Sequence, residues 1–348
     1  MKLQIVVGGQ YGSEAKGAVA GYLAAKEEAP LCIRVAGPNA GHSVVDPITG
    51  VKYALRQIPV GAVTNPDAIL GIAAGSEIDP YVLEEEITRL EAGAVKIRER
   101  LLIDPAATWL TSNHKDRETS SGIVGRIGST GKGIGAARAD RIMRTATTVR
   151  QHRESFEHYG KVGSVSAAAS TVFNSGGTVQ IEGTQGYGLG LHGVHYPQCT
   201  SSDCTAVDFC AMAQISPWII PRECLDIWVV FRPYPIRVAG NSGPLHGETT
   251  WEDLGLQPEY TTVTKKIRRV GLWDSGLAIA AVDANGGPGT VRTALTMADQ
   301  IDLQIAGVTD TEKLLQSTLL RSFLQRFEAD TGTTPAMITT SDRTYCEL

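Results

Sequence analysis

Residues 3–17 read Leu3-Gln4-Ile5-Val6-Val7-Gly8-Gly9-Gln10-Tyr11-Gly12-Ser13-Glu14-Ala15-Lys16-Gly17. The run from Leu3 to Val7 has the length and branched content of a buried strand. Glycines follow it at once, and a helical pattern over 14–28 follows them. Strand, glycine-rich turn and helix in that order form an anion cradle: glycines let backbone N–H groups turn inward, the helix N-terminus favours negative charge, and Lys16 adds a cation. A Walker A loop is excluded, because Lys16 precedes Gly17 and no Ser or Thr follows a Gly-Lys pair.

The same alternation continues outward. Strands are predicted at 3–7, 31–35, 52–58, 69–73, 101–103, 178–182, 225–231, 291–297 and 335–339, and helices at 14–28, 80–93, 136–158, 205–213, 275–283 and 311–327. Short apolar strands separated by helices predict an α/β fold, a central mostly parallel sheet flanked by helices. Residues 160–177 read as a small-residue, glycine- and serine-rich connection too short to divide the chain, so residues 1–348 are expected to form one domain.

Composition narrows the function. The net charge is −5, against a general nucleic-acid binder. No apolar stretch reaches the 18 residues of a membrane span, and no signal peptide is evident, so a cytoplasmic protein is expected (host cytoplasm if phage-encoded). The six cysteines match no zinc spacing and read as free thiols. Glycine, 38 of 348 residues or about 11% against a usual ~7%, points to backbone approaching ligands closely.

Ligands of such sheets sit at the carboxyl ends of strands, and four more polar segments attract attention. Gly37-Pro38-Asn39-Ala40-Gly41-His42-Ser43 places a histidine, a candidate general acid, in a turn after a strand. Gly128-Ser129-Thr130-Gly131-Lys132-Gly133-Ile134-Gly135 suits a phosphate monoester. Downstream of it, Arg141 and Arg144 are expected on one helical face. Glu182-Gly183-Thr184-Gln185-Gly186 offers an amide for a base edge, and is followed by Thr200-Ser201-Ser202. Thr261 to Arg269 interleaves hydroxyls with four cations, as a small dicarboxylate requires. Each segment taken alone also fits an ordinary turn or a solvated charge run.

Taken in order, these segments resemble the adenylosuccinate synthetase family. That family's G-x-Q-W-G-D-E-G-K-G corresponds to Gly8–Gly17, its N-A-G-H to Asn39–His42, its G-T-T-G-R-G-I-G to Gly128–Gly135, its E-G-x-Q-G to Glu182–Gly186, and its S-T-G-P-D-R-T is echoed by Thr339 to Thr344. The resemblance implies a P-loop-like α/β fold and a ligase. A nucleoside triphosphate with Mg2+ phosphorylates O6 of a purine monophosphate, and the amine of L-aspartate displaces that phosphate at C6. It also implies a homodimer.

Roles carried over by the resemblance are these. Ser13, His42 and Gln185 stand at the catalytic positions. Ser13, Asn39, Ser129, Thr130, Arg144, Gln185 and Thr200 would hold the monophosphate, with Arg144 reaching across a dimer interface. Gly12, Glu14, Ala15, Lys16, Gly17, Gly41, His42, Ser43, Met297, Asp299, Thr340 and Ser341 would hold the triphosphate. Thr262, Val263, Thr264, Lys265, Lys266 and Arg268 would hold aspartate. Ser13 and Gly41 occupy the metal-ligating positions.

Departures from the family pattern decide the substrate. The family's base, the Asp of G-D-E-G-K-G, is here Ser13. Either the chain is a catalytically silent homologue, or it takes a purine with an amine at C2, which a serine admits and an aspartate crowds. In this it resembles the phage branch that makes N6-succino-2-amino-2′-deoxyadenylate from dGMP. An ordinary synthetase acting on IMP remains the alternative. The family's T-K-x-D, which selects GTP, is Thr296-Met297-Ala298-Asp299, so ATP or dATP is favoured, with GTP still open.

Overall fold

The computed structural model describes residues 1–261 and 266–348. Its strands are β1 (Lys2–Gly8), β2 (Leu31–Arg34), β3 (His42–Val45), β4 (Lys52–Leu55), β5 (Ile69–Ile72), β6 (Glu77–Ile78), β7 (Leu101–Ile103), β8 (Thr108–Trp109), β9 (Lys161–Val162), β10 (Thr178–Glu182), β11 (Leu225–Phe231), β12 (Ile236–Arg237), β13 (Arg269–Val270), β14 (Val291–Leu295), β15 (Met337–Ser341) and β16 (Thr344–Glu347). The longer helices are α1 (Lys16–Lys26), α2 (Pro80–Ala92), α3 (Ser112–Ser120), α4 (Ile134–Met143), α5 (Val165–Asn174), α6 (Ala206–Ala213), α7 (Ser275–Ala284) and α8 (Thr318–Thr331).

Ten strands form one sheet in the order β16-β15-β14-β11-β1-β10-β2-β5-β7-β9. Every neighbouring pair is parallel except β15–β16. Alternation along β1 explains the layers. Leu3, Ile5 and Val7 join the core on one face, with Phe209 of α6 and Val282 of α7. Val6 joins the core on the other, with Val19 and Leu23 of α1 and Ile87 of α2. Burial on both faces is why these strands read as unbroken apolar runs. β1 lies between β10 and β11, so the loops leaving β1, β2, β10, β11, β14 and β15 gather at one edge.

Several expectations are corrected. The helix predicted over 136–158 stops at Met143, because Arg144 turns left-handed at φ 64°; a 3-10 turn and a five-residue helix, Arg153–Glu157, follow. Arg141 and Arg144 therefore do not share a helical face. The connection expected at 160–177 contains β9 and α5, which Ser164 caps by accepting from Ala167 N. The 311–327 helix is two, Thr311–Leu314 and α8, divided at Ser317, which caps the second. The strand at 52–58 is β4, which pairs antiparallel with the unexpected β3 in a hairpin outside the main sheet.

Candidate active site

The first loop is held by its own carboxylate. Gly12, Ser13 and Ala15 all have left-handed backbone, with φ of 86°, 61° and 57°. Non-glycine residues in that region mark strain that the surroundings must impose. Glu14, fully buried, supplies the constraint: Oε1 accepts from Gly12 N at 2.7 Å and Gln10 N at 3.1 Å, and Oε2 pairs with Lys16 Nζ at 2.6 Å. The inward amides of Gln10 and Gly12 therefore meet Glu14. Thr296 Oγ1 donates to Glu14 O at 3.0 Å, linking the loop to the end of β14. A side chain at Gly8 would collide with Gln185 O, Glu14 Oε2 and Lys16 Nζ, all within 2.8 Å, so Gly8 lets the loops after β1 and β10 meet.

His42, at the start of β3, sits in a buried charge cluster. Its Nδ1 lies 2.5 Å from Glu182 Oε1, at the end of β10, and 2.8 Å from Arg34 Nη1. Arg34, at the end of β2, donates to the same oxygen at 3.0 Å, to Gly183 O at 3.0 Å and to Ala40 O at 3.2 Å. Glu182 Oε2 accepts from Val60 N at 2.7 Å. Burial and the Arg34 charge push the imidazole down to about 3, against the opposite pull of Glu182. The ring is thus neutral, its Nδ1 set between the Glu182 carboxylate and the Arg34 guanidinium. Gly17 packs against this histidine: a Cβ there would lie 2.7 Å from His42 Cβ and from Ser43 O.

Ser13 faces arginines. Its hydroxyl accepts from Arg268 Nη1, and its carbonyl accepts from Arg232 Nη1 at 3.3 Å. Arg232 leaves the end of β11 fully buried, held by both oxygens of Glu259 and by Gln300 Oε1 at 3.1 Å. The Gln10 amide grips its backbone from both sides, at 2.9 and 3.0 Å. Gln300 adjoins Asp299, whose carboxyl burial pushes upward. Met297 is left-handed at φ 55° and donates its N–H to Thr339 Oγ1 at 3.2 Å.

The third glycine segment differs from its simplest reading. The amides of Gly133 and Gly135, at the start of α4, each donate to the buried Glu118 carboxylate at 2.7 Å. That helix N-terminus already holds an anion, whereas Thr130 is exposed and Ser129 Oγ accepts from Gly131 N at 3.3 Å. The segment packs on a second loop, through Asn241 Nδ2 donating to Arg126 O at 2.7 Å.

The sequence model of the adenylosuccinate synthetase family matches residues 5–162 and 150–309. An adenylosuccinate synthetase of Pyrococcus sp. (strain ST700) is 38% identical over 98% of this chain and 96% of its own length. The chain belongs to the adenylosuccinate synthetase family. A Methanococcus maripaludis adenylosuccinate synthetase is 38% identical over 99% of the chain and 97% of its own. Among solved structures, the succinoaminodeoxyadenylate synthetase of cyanophage S-2L, bound to dGMP and to dATP as energy donor, superposes with a TM-score of 0.83 at 27% identity, covering 99% of this chain and 95% of that one. The fully ligated Plasmodium falciparum adenylosuccinate synthetase superposes with a TM-score of 0.82 at 18% identity, over the whole of both chains, and shares the fold. Family members are C–N ligases of purine nucleotide synthesis. No helix among the described residues is long and apolar enough to cross a membrane.

Within the synthetase framework, the structure brings the first loop together with Gln185, left-handed at φ 57°, with His42 and Ser43, and with Arg268. Gly41 is exposed and Asn39 half-buried at the mouth of the second loop. Thr200 is half-buried, its N–H on Leu189 O at 2.8 Å. Thr340 is buried and its hydroxyl donates to Val308 O at 2.9 Å, so that side chain is engaged within the fold; Ser341 is exposed and within reach of Thr344. Lys266 is exposed. Thr262, Val263, Thr264 and Lys265 lie outside the described residues. Arg144 is exposed, its guanidinium donating to Ile142 O at 2.7 Å.

Sequence reasoning missed Arg34, Glu118, Arg232, Glu259 and Gln300. One signal was available: Arg34 closes an otherwise apolar strand and Arg232 follows another, and a charge at such a place has to be satisfied by a partner.

Proposed function

We propose that this synthetase joins L-aspartate to C6 of dGMP, giving N6-succino-2-amino-2′-deoxyadenylate, and that residues 1–348 act as a single unit. The observation that carries this reading is Ser13: a neutral hydroxyl, anchored by Arg268, where the family pattern has a carboxylate. It leaves room for the C2 amine of guanine and accepts a hydrogen bond from it. The likeness to a phage synthetase bound to dGMP and dATP supports the same purine and an adenine donor. The 38% identity to archaeal adenylosuccinate synthetases favours a second reading, IMP as acceptor. Supplying aspartate, Mg2+ and ATP with dGMP, GMP or IMP in turn, and weighing the succino product, separates the two. Product from IMP and none from dGMP overturns the first.

The chemistry has two steps. As the N1 proton of the purine is given up to solvent, O6 attacks the γ-phosphorus of the triphosphate, and the nucleoside diphosphate leaves. The aspartate amine then adds at C6, and phosphate departs with the former O6. His42 faces the charge that develops in the first step. As triphosphate charge approaches, the protonated ring becomes favourable, and Nε2 donates to a phosphoryl oxygen while Glu182 keeps the ring oriented.

Magnesium, brought on triphosphate oxygens, neutralises charge on the transferring group and needs only one or two protein ligands. The exposed Gly41 suits that role through its carbonyl. Ser13 suits it less, since the Arg268 cation already faces its hydroxyl.

Arg144 is inferred to complete the phosphate site of a second copy in a homodimer. It projects from the end of α4 beside Ile142 and Met143, which are 67% and 70% exposed. Arg144→Ala is expected to weaken monophosphate binding by about 1.5–3 kcal/mol, the usual contribution of a charged hydrogen bond, measured by calorimetric titration. A monomer in solution with full activity overturns the dimer.

Met297 replaces a lysine of the family pattern and offers the donor base a soft apolar surface without charge. Met297→Lys is expected to shift the ratio of kcat/KM for ATP and GTP toward GTP. A wild type that uses GTP and rejects both ATP and dATP overturns this reading.

A further inference from the structure

The contact between Ser13 and Arg268 has two ends, and the end at Arg268 concerns the amine donor. Arg268 leaves the segment just before β13, half-buried beside the first loop. Its Nε donates to Tyr260 O at 3.2 Å and its Nη1 to Ser13 Oγ. Among the described residues, no carboxylate lies within ion-pair distance of it. The nearest candidate, Glu259, is taken by Arg232 through both of its oxygens. Among the described residues, Arg268 is thus hydrogen-bonded through neutral oxygens, while the Glu259 charge acts on it from beyond ion-pair distance.

We propose that Ser13 is a positioning residue for the dicarboxylic amine donor: its neutral hydroxyl aims Arg268 without neutralising it, keeping that guanidinium for a substrate carboxylate. This inference rests on the reading of Arg268 as part of the aspartate site, and it goes beyond the purine argument. A carboxylate at position 13 would pair with Arg268 in the fork geometry that carboxylates and guanidinium prefer. An incoming aspartate would then have to displace a covalently tethered rival, present at high effective concentration. The serine removes the rival and keeps the aim.

Two substitutions separate charge from bulk. Asp and Asn are nearly isosteric, and both tolerate left-handed backbone better than most residues, so Ser13→Asp and Ser13→Asn are both compatible with φ 61° at this position. The binding of L-aspartate is measured by titration calorimetry on wild type and both variants, each saturated with a non-hydrolysable triphosphate and with IMP. IMP lacks the C2 amine, so crowding at the purine does not enter. Ser13→Asp is expected to bind aspartate at least tenfold more weakly than Ser13→Asn. The two variants are expected to bind IMP within about threefold of each other, which a general distortion of the loop would not give. Equal aspartate binding by the two variants, or equal loss of it, overturns the proposal. A wild type that turns over IMP and rejects dGMP overturns the purine reading and leaves the comparison of Asp with Asn standing.

Discussion

Replacing His42 with alanine is expected to lower kcat by roughly 10²–10⁴, the range removed with a positioned acid–base group, while monophosphate affinity changes little. The surroundings explain why the two effects separate. The imidazole is neutral in the free protein, held so by burial and by Arg34. Removing it leaves the Arg34–Glu182 ion pair intact at 3.0 Å, and Glu182 Oε2 still accepts from Val60 N. The buried charges therefore stay balanced, and the variant loses one hydrogen-bond partner of Glu182, about 1–3 kcal/mol of stability. That loss leaves a folded protein in which turnover, read from phosphate release, reports on chemistry. Turnover within a few-fold of wild type would make His42 a structural ring.

The fold was legible where burial on two faces makes strands into apolar runs. β1, β10 and β11 were read close to their observed bounds for that reason. It was illegible where the pattern is weak. α5 carries no charged residue, and its exposed Ser170, Thr171 and Asn174 contrast only weakly with its buried Val165, Ala169, Val172 and Phe173. The end of α4 carries no glycine or proline; Arg144 itself takes the left-handed conformation that stops it. The hairpin that begins at His42 was hidden because its first strand starts inside the motif.

The candidate site divides in the same way. Residues within one loop, such as Glu14 with Gly12 or His42 with Ser43, are neighbours in the chain and were read together. Their partners arrive from other strands: Arg34 and Glu182 meet on His42 only because β2 and β10 are adjacent, and Arg232 meets Ser13 only because β11 lies beside β1. Spacing along the chain carries no trace of such pairs. One further case was obscured by a correct principle. The helix start at Gly133–Gly135 does attract an anion, but the anion is Glu118, sixteen residues or so upstream.

Ser13→Asp is expected to abolish most dGMP turnover, because it adds bulk and charge where the C2 amine of guanine would sit. A carboxylate accepts an amine's hydrogen bond as well as a hydroxyl does, so the effect comes from crowding. Ser13→Asn, equal in size and neutral, should therefore lose dGMP turnover to a similar extent. This contrasts with aspartate binding, where the two variants are expected to part. Neither change strains the chain, since φ at Ser13 is already 61° and Asp and Asn are enriched in that region; an unchanged melting temperature would show it. With the family's carboxylate restored, Ser13→Asp should gain activity on IMP over wild type, limited by the hold that Arg268 takes on the new carboxylate. The measurement is kcat/KM for dGMP and IMP with each variant. Retention of dGMP turnover in Ser13→Asp would mean that the purine lies clear of position 13, and the choice of substrate would have to be sought at Asn39 and Gln185 instead.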